Sequence, residues 1–208
     1  MNNKNSVNAR QPDKKQYGNM GKWARYYDLL MVLMTFGREK KLRQMETGLS
    51  KLKSGDKVLE IGCGTGSLTI AAKEQVGPSG EAVGIDIAPE MVAIANRKAA
   101  LKRIDVSIKV GSIANIPFPD NRFDVVMCSF MIFHMPEDVR RKGFTEIRRV
   151  LKSGCHYFIF DGASRDKRYD IRELAPVLKE NSFSDIEIEK VKLSIFKGWA
   201  LRAKSGKS

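Results

Sequence analysis

The stretch Val58-Leu59-Glu60-Ile61-Gly62-Cys63-Gly64-Thr65-Gly66 constrains this chain more than any other. Val58–Ile61 reads as a short buried strand, and the apolar pattern after the glycines predicts a helix from Ser67 to about Val76. Three glycines in five residues let the backbone turn sharply and approach a ligand with no Cβ in the way. Such a turn leaves N–H groups at the start of the following helix, where negative charge is favoured. A strand, a glycine turn and a helix in this order open a doubly wound sheet, which binds its ligand beyond the carboxyl ends of its strands.

The spacing narrows the ligand. A dinucleotide fingerprint needs G-x-G-x-x-G. Counted from Gly62, the last glycine of that pattern falls on Ser67, so the strict form fails. What stands here is E-x-G-x-G-x-G, with Glu60 ahead of the first glycine. Glu81-Ala82-Val83-Gly84-Ile85-Asp86 then reads as a second strand ending in an acid, and Pro89 suits the first turn of the helix that follows. A carboxylate at that strand end has two readings: it accepts hydrogen bonds from ribose hydroxyls, or it caps the next helix.

The glycine turn and Asp86 together resemble the class I S-adenosylmethionine-dependent methyltransferases. The resemblance implies a Rossmann-like fold: a seven-stranded, mostly parallel sheet with helices on both faces and an N-terminal helical cap. It implies that Gly62, Cys63, Gly64 and Gly66 wrap the amino-acid end of S-adenosylmethionine. Glu60 would order that loop, and Asp86 would hold the ribose. Ile87, Met91, Tyr27 and Cys128 join the implied cofactor set. After a third strand, Val106–Val110, the family usually has an acid that bonds the adenine amino group. Here that position is Ser112, a hydroxyl without charge, while the neighbouring Ile113 offers a backbone N–H to the ring.

Phe123–Phe130 is nearly continuously apolar, as a central parallel strand should be. Asp124 matches the family's Phe-Asp-hydrophobic signature and is expected to act as a structural hydrogen-bond partner. The strand's end brings Cys128, Ser129, Phe130 and His134 to the expected reaction centre. His134 is the side chain of this segment able to take a proton near neutral pH, and it is the candidate catalytic base; packing or capping before Pro136 is the competing role. A helix follows over Glu137–Leu151. Lys152–Cys155 reads as a turn, with Gly154 matching the family's Leu-Lys-Pro-Gly-Gly, and His156–Asp161 as the fifth strand. Ile171–Lys179 reads as a helix. Asp185–Val191 and Ile195–Ala203 read as a closing antiparallel hairpin.

The N-terminal part divides in two. Met1–Gln16, rich in Asn and Lys, reads as a disordered basic tail, and residues 17–208 as a single domain. Trp23, Tyr26, Tyr27, Leu30, Met31 and Met34 recur at helical spacing. A second helix is expected from Arg38 to about Thr47, ended by Gly48, so that residues 17–48 form the cap. Tyr27-Asp28-Leu29-Leu30 and Phe36-Gly37-Arg38 resemble the ubiquinone and menaquinone C-methyltransferase branch. That implies a small, lipid-soluble, quinone-like acceptor.

Charge and cysteine content bear on partners. Residues 1–57 carry thirteen Lys or Arg against five Asp or Glu, within a net charge of +13. This balance favours acidic partners and fits peripheral contact with an anionic membrane. The alternatives are an RNA or protein methyltransferase, or an NAD-binding oxidoreductase on the same sheet. Nucleic acid is disfavoured, because no Asn-Pro-Pro-Tyr motif and no interleaved basic and aromatic stripe is present. Three scattered cysteines suit buried thiols in a reducing cytoplasm, and no metal-ligand spacing occurs.

Overall fold

The computed structural model describes residues 20–162, 170–193 and 196–206. The polar stretch Met1–Gln16, the expected start of the cap at Tyr17 and the hairpin residue Ile195 lie outside them. Seven strands form one sheet: β1 (Lys57–Ile61), β2 (Glu81–Asp86), β3 (Ser107–Val110), β4 (Phe123–Ser129), β5 (Leu151–Gly162), β6 (Phe183–Leu193) and β7 (Phe196–Ser205). Their order across the sheet is β3-β2-β1-β4-β5-β7-β6. The first five run parallel, and β7 lies antiparallel between β5 and β6. From β1 the chain winds one way to β2 and β3, then returns to β4 on the other side. The switch point therefore lies between β1 and β4, where such sheets bind ligands.

The helices are α1 (Met20–Met34), α2 (Glu39–Leu49), α3 (Ser67–Val76), α4 (Pro89–Lys102), α5 (Glu137–Val150) and α6 (Leu174–Glu180). Strand alternation sorts the core into two layers. Leu59, Ile61, Val126, Tyr157 and Ile159 face Phe144 and Ile147 of α5 and Leu174 and Leu178 of α6. Val58, Val125, Met127, Phe158 and Phe160 face Met31 of α1, Leu42 of α2 and Leu68, Ala72 and Val76 of α3. The central strands are buried on both sides, which their continuous apolar runs require. α4 packs on α1 through Ala88 and Met91 against Ala24.

Two departures from the sequence reading have a definable physical cause. Gly48 does not end α2; the helix runs through Leu49, and Lys51 turns the chain with φ +59. The buried Ser50 hydroxyl donates to the Thr47 carbonyl at 2.7 Å, so this helix ends on a side-chain bond and needs no glycine. The expected turn at Lys152–Cys155 is instead part of β5. The register shifts between Phe123, which pairs with Leu151, and Val125, which pairs with His156. The extra β5 residues bulge out around Gly154, whose φ is +73.

Asp124 ties three strands. Its carboxylate accepts from the Lys57 N–H at 2.9 Å and from the Lys152 ammonium at 2.6 Å. It joins β1, β4 and β5 at the end of the sheet opposite the switch point. Asp124→Ala is expected to lower the unfolding free energy by about 1–2 kcal/mol, measured by urea denaturation, with cofactor affinity unchanged. A large loss of affinity without loss of stability would contradict this structural role.

Candidate active site

The glycine turn is held from β2. The N–H groups of Gly62 and Cys63 both donate to the Ile85 carbonyl, at 2.8 and 3.0 Å. The Gly64 N–H donates to Asp86 Oδ2 at 2.8 Å, and the Gly66 N–H to the Cys63 carbonyl at 2.8 Å. Gly62, Gly64 and Gly66 all have positive φ, which explains the residue type. Gly66 has a second reason: a Cβ there would lie 2.9 Å from the Cβ of Ala95 on α4. The turn is thus not the open N–H cradle that the sequence suggested. Its donors at Gly62, Cys63, Gly64 and Gly66 are satisfied within the protein, which leaves a neutral shelf.

Asp86 serves both loops. While Oδ2 accepts from Gly64, Oδ1 accepts from the Ala88 N–H at 2.9 Å, just ahead of α4. This bond closes an Asx turn ahead of the helix; the N-cap of α4 is Ala88, without a side-chain cap, so Asp86 does not act as the helix cap. Each carboxylate oxygen keeps a further lone pair for a ligand hydroxyl. Burial pushes the Asp86 carboxyl up, against the pull of these backbone donors. Glu60 lies deeper, on the α3 side of β1, and accepts from the Thr69 hydroxyl. Burial raises its carboxyl to about 8, opposed by the Thr69 bond and by the charge of Arg43.

A cleft of about 900 Å³ opens over this shelf. Of the residues expected in the site, Tyr27, Gly62, Gly64, Asp86, Ile87, Met91, Ser112, Ile113 and His134 line it. Glu60, Cys63, Gly66 and Cys128 do not. Cys128 faces the α5 layer, buried, with its thiol toward the Ile61 carbonyl at 3.6 Å; the next residue along the strand, Ser129, faces the cleft instead. The expectation that Cys128 lines the reaction centre is corrected accordingly. The Ser112 hydroxyl accepts from the Ala114 N–H at 3.2 Å and so shapes its own turn. His134, in a 3-10 turn over Ile132–His134, is exposed at the rim. Its charge is felt by Asp161, whose carboxyl burial raises to about 6.

Several contributors were missed in the sequence. Asp28 latches α1 onto the glycine turn, accepting from the Thr65 hydroxyl at 2.6 Å and from the Lys98 ammonium at 2.8 Å. Lys98 also donates to the Thr65 and Ser67 hydroxyls, both at 3.0 Å. Beneath the cleft, Arg43 pairs with the fully buried Glu46 at 3.0 Å, and Ser129 donates to Glu46 at 2.5 Å. This cluster fastens α2 to the end of β4. Phe130, next in the chain, adopts φ +53, a left-handed conformation that bulky side chains rarely take. Asp28 carried a signal, as the one acid in an otherwise apolar and basic helix. Arg43 and Glu46 stand three residues apart on one helix, but Ser129, the partner they share, lies more than eighty residues away and carried none.

A model of the methyltransferase domain family matches residues 58–154. A demethylmenaquinone methyltransferase of Lactobacillus johnsonii is 32% identical over 72% of this chain and 61% of its own length. One from Thermus thermophilus is 36% identical over 65% of this chain and 60% of its own length. The matches thus span about three fifths of those two relatives. A solved S-adenosylmethionine-dependent methyltransferase from Aquifex aeolicus superposes with a TM-score of 0.71 at 25% identity, covering 89% of this chain and 98% of that one.

In sequence over residues 58–154 and in fold over most of its length, the chain is similar to the class I S-adenosylmethionine-dependent methyltransferases. Its sequence relatives are of the menaquinone branch, and the strand order and mixed sheet are those of the family's Rossmann-like fold. The residues present fit the family's cofactor. The cleft volume suits a nucleoside ligand, and the side chains of Met131 and Tyr27 lie against the shelf at Gly62 and Gly64.

Glu60 makes a pH test of the buried shelf. Its folded pKa of about 8 lies above the ordinary value of 4.5, so between these the folded state keeps a proton that the unfolded chain has lost. This term makes the protein lose stability as pH rises from about 5 to about 8. Glu60→Gln is expected to gain on the wild type across that window in cofactor-free unfolding measurements. Parallel stability curves for the two proteins would contradict the burial argument.

Proposed function

We propose that the protein transfers a methyl group from S-adenosylmethionine to a small, lipid-soluble, quinone-like acceptor. The observation that carries this reading over a dinucleotide enzyme is the state of the glycine turn. A pyrophosphate needs free N–H donors and positive potential at the helix N-terminus. Here the donors at Gly62, Cys63, Gly64 and Gly66 are engaged. Two carboxylates, Asp86 and Asp28, stand beside the turn, with Lys98 paired to the second. A neutral to acidic shelf suits a cationic sulfonium nucleoside better than a polyanion.

The bound cofactor supplies an electrophilic methyl group. The chain's own residues hold the partners in line, and alignment of this kind supplies much of the rate. Asp86 holds the ribose hydroxyls with its remaining lone pairs. Gly64 gives the amino-acid end close approach, and Tyr27 closes over it; a Cβ at Gly64 would lie 3.7 Å from its ring. Ile113 and Met91 border the adenine. His134, at the rim, is placed to take a proton from an acceptor hydroxyl.

The far wall supports the acceptor class. Leu29, Leu30, Leu33, Met34 and Val139 make it apolar. An apolar wall favours a hydrophobic ring and tail over a nucleic acid or a charged peptide. The curated relatives named above are demethylmenaquinone methyltransferases, which supports the same class. The surplus of base in the first 57 residues supports peripheral contact with an anionic membrane, and no described helix is long and apolar enough to cross one.

Calorimetry with S-adenosylhomocysteine and NAD in parallel tests the reading. Binding of the adenosyl compound without NAD binding is expected, and Asp86→Ala is expected to weaken it by about 1–3 kcal/mol. Tight NAD binding with no heat from the adenosyl compound would overturn the proposal. Methyl transfer from labelled cofactor to a demethylated naphthoquinone then tests the acceptor.

A further inference from the structure

Helix α1 is apolar on two faces. Its inward face, with Ala24 and Met31, packs against α4 and the sheet layer. Its outward side and the turn after it expose Leu29, Leu30, Val32, Leu33, Met34 and Phe36. Leu33 is 64% and Phe36 69% accessible. A helix at a protein surface normally turns polar residues outward, and one that is apolar all round is covered by something. Contiguous exposed apolar surface of this kind marks an interaction site.

Three occupants compete. The nineteen residues ahead of α1 contain Met1, Val7, Ala9 and Tyr17 as their apolar members, too few to match six large side chains. A second copy of the chain docked face to face would bring Arg38, Lys40 and Lys41 toward their own equivalents. These three are exposed, follow directly on Phe36, and make no ion pair among the described residues. The remaining acids of the cap do not offset them: Asp28 is held by Lys98, and Glu39 and Glu46 by Arg43. An apolar ridge beside unpaired cations complements an anionic lipid surface, with the apolar side chains below the headgroups and the cations among the phosphates.

We propose that the outward ridge of α1 and the Phe36 turn insert into an anionic bilayer leaflet and set the mouth of the cleft against the acyl phase. Leu29, Leu30, Leu33 and Met34 belong both to the ridge and to the cleft wall. A lipid-soluble acceptor then passes from leaflet to cleft along one continuous apolar surface. The delivery role rests on the proposed acceptor class; the docking itself rests on the ridge and its charges.

The full-length protein is tested by co-sedimentation with phosphatidylglycerol–phosphatidylcholine vesicles and with phosphatidylcholine alone. Binding to the anionic vesicles that weakens with salt is expected. Val32→Gln with Phe36→Asn removes two ridge residues that do not line the cleft, and Asn tolerates the left-handed φ of +51 at position 36. This variant is expected to lose vesicle affinity by about tenfold or more. Its S-adenosylhomocysteine binding should be unchanged. Absent vesicle binding, or binding the variant retains in full, overturns the proposal. So does a lipid-free dimer, seen by sedimentation velocity, that the variant abolishes. If vesicle binding holds but the adenosyl compound fails to bind, docking stands and the methyl-transfer reading falls.

Discussion

One carboxylate joins the two loops on which the site is built. Asp86 receives the Gly64 N–H on one oxygen and the Ala88 N–H on the other. The turn after β1 and the turn into α4 are therefore fixed relative to each other by a half-buried side chain at the end of β2. The Ile85 carbonyl, one residue earlier, takes the N–H groups of Gly62 and Cys63. The end of β2 thus dictates the path of the glycine turn. Four of the turn's N–H groups are consumed in this way. The electrostatic balance at the switch point leans toward negative charge, with Asp86, Asp28 and Glu46 set against Lys98 and Arg43, while Glu60 keeps its proton. That balance favours a nucleoside carrying positive charge over a pyrophosphate.

The cap is part of the site rather than an appendage. α1 is pinned through Asp28 to Thr65 and Lys98, so its position is tied to the same turn. α2 is pinned through Arg43 and Glu46 to Ser129 at the end of β4. Removing one partner of such a buried ion pair costs about 3–5 kcal/mol, because the other charge stays behind unpaired. With both helices fixed, Tyr27 lies over Gly64, and the outward face of α1 becomes the lip of the cleft. The inward face of α1 belongs to folding, and the outward one is the apolar ridge left exposed.

Much of this was legible in the sequence, for definable reasons. β1, α3 and β2 are local structures whose apolar runs, glycines and terminal acid signal themselves, and α3 and β2 have the boundaries the sequence predicted. The family resemblance supplied the number of strands and the mostly parallel sheet, which no local pattern contains. The end of α2 was misread because Gly48 is a breaker by propensity, while a Ser50 side-chain bond does the work of termination. The turn at Lys152–Cys155 was misread because a bulge keeps extra residues within a strand that pairing elsewhere continues. At the site, Asp86 stood out, but that its carboxylate is shared between two backbone donors depends on how the loops fold back. Cys128 and Ser129 are neighbours in sequence, and the phase of the strand relative to the layers decides which one meets the cleft. The Arg43–Glu46–Ser129 cluster joins residues more than eighty positions apart, and no spacing rule reaches that far.

A crystal of the protein soaked with S-adenosylhomocysteine tests the central claim most directly. The account predicts the compound between the Gly62–Gly64 shelf and Tyr27, with its ribose hydroxyls on the Asp86 carboxylate and the Gly64 and Ala88 bonds to that carboxylate intact. Density for the compound elsewhere, or an Asp86 carboxyl turned from the sugar, would contradict it.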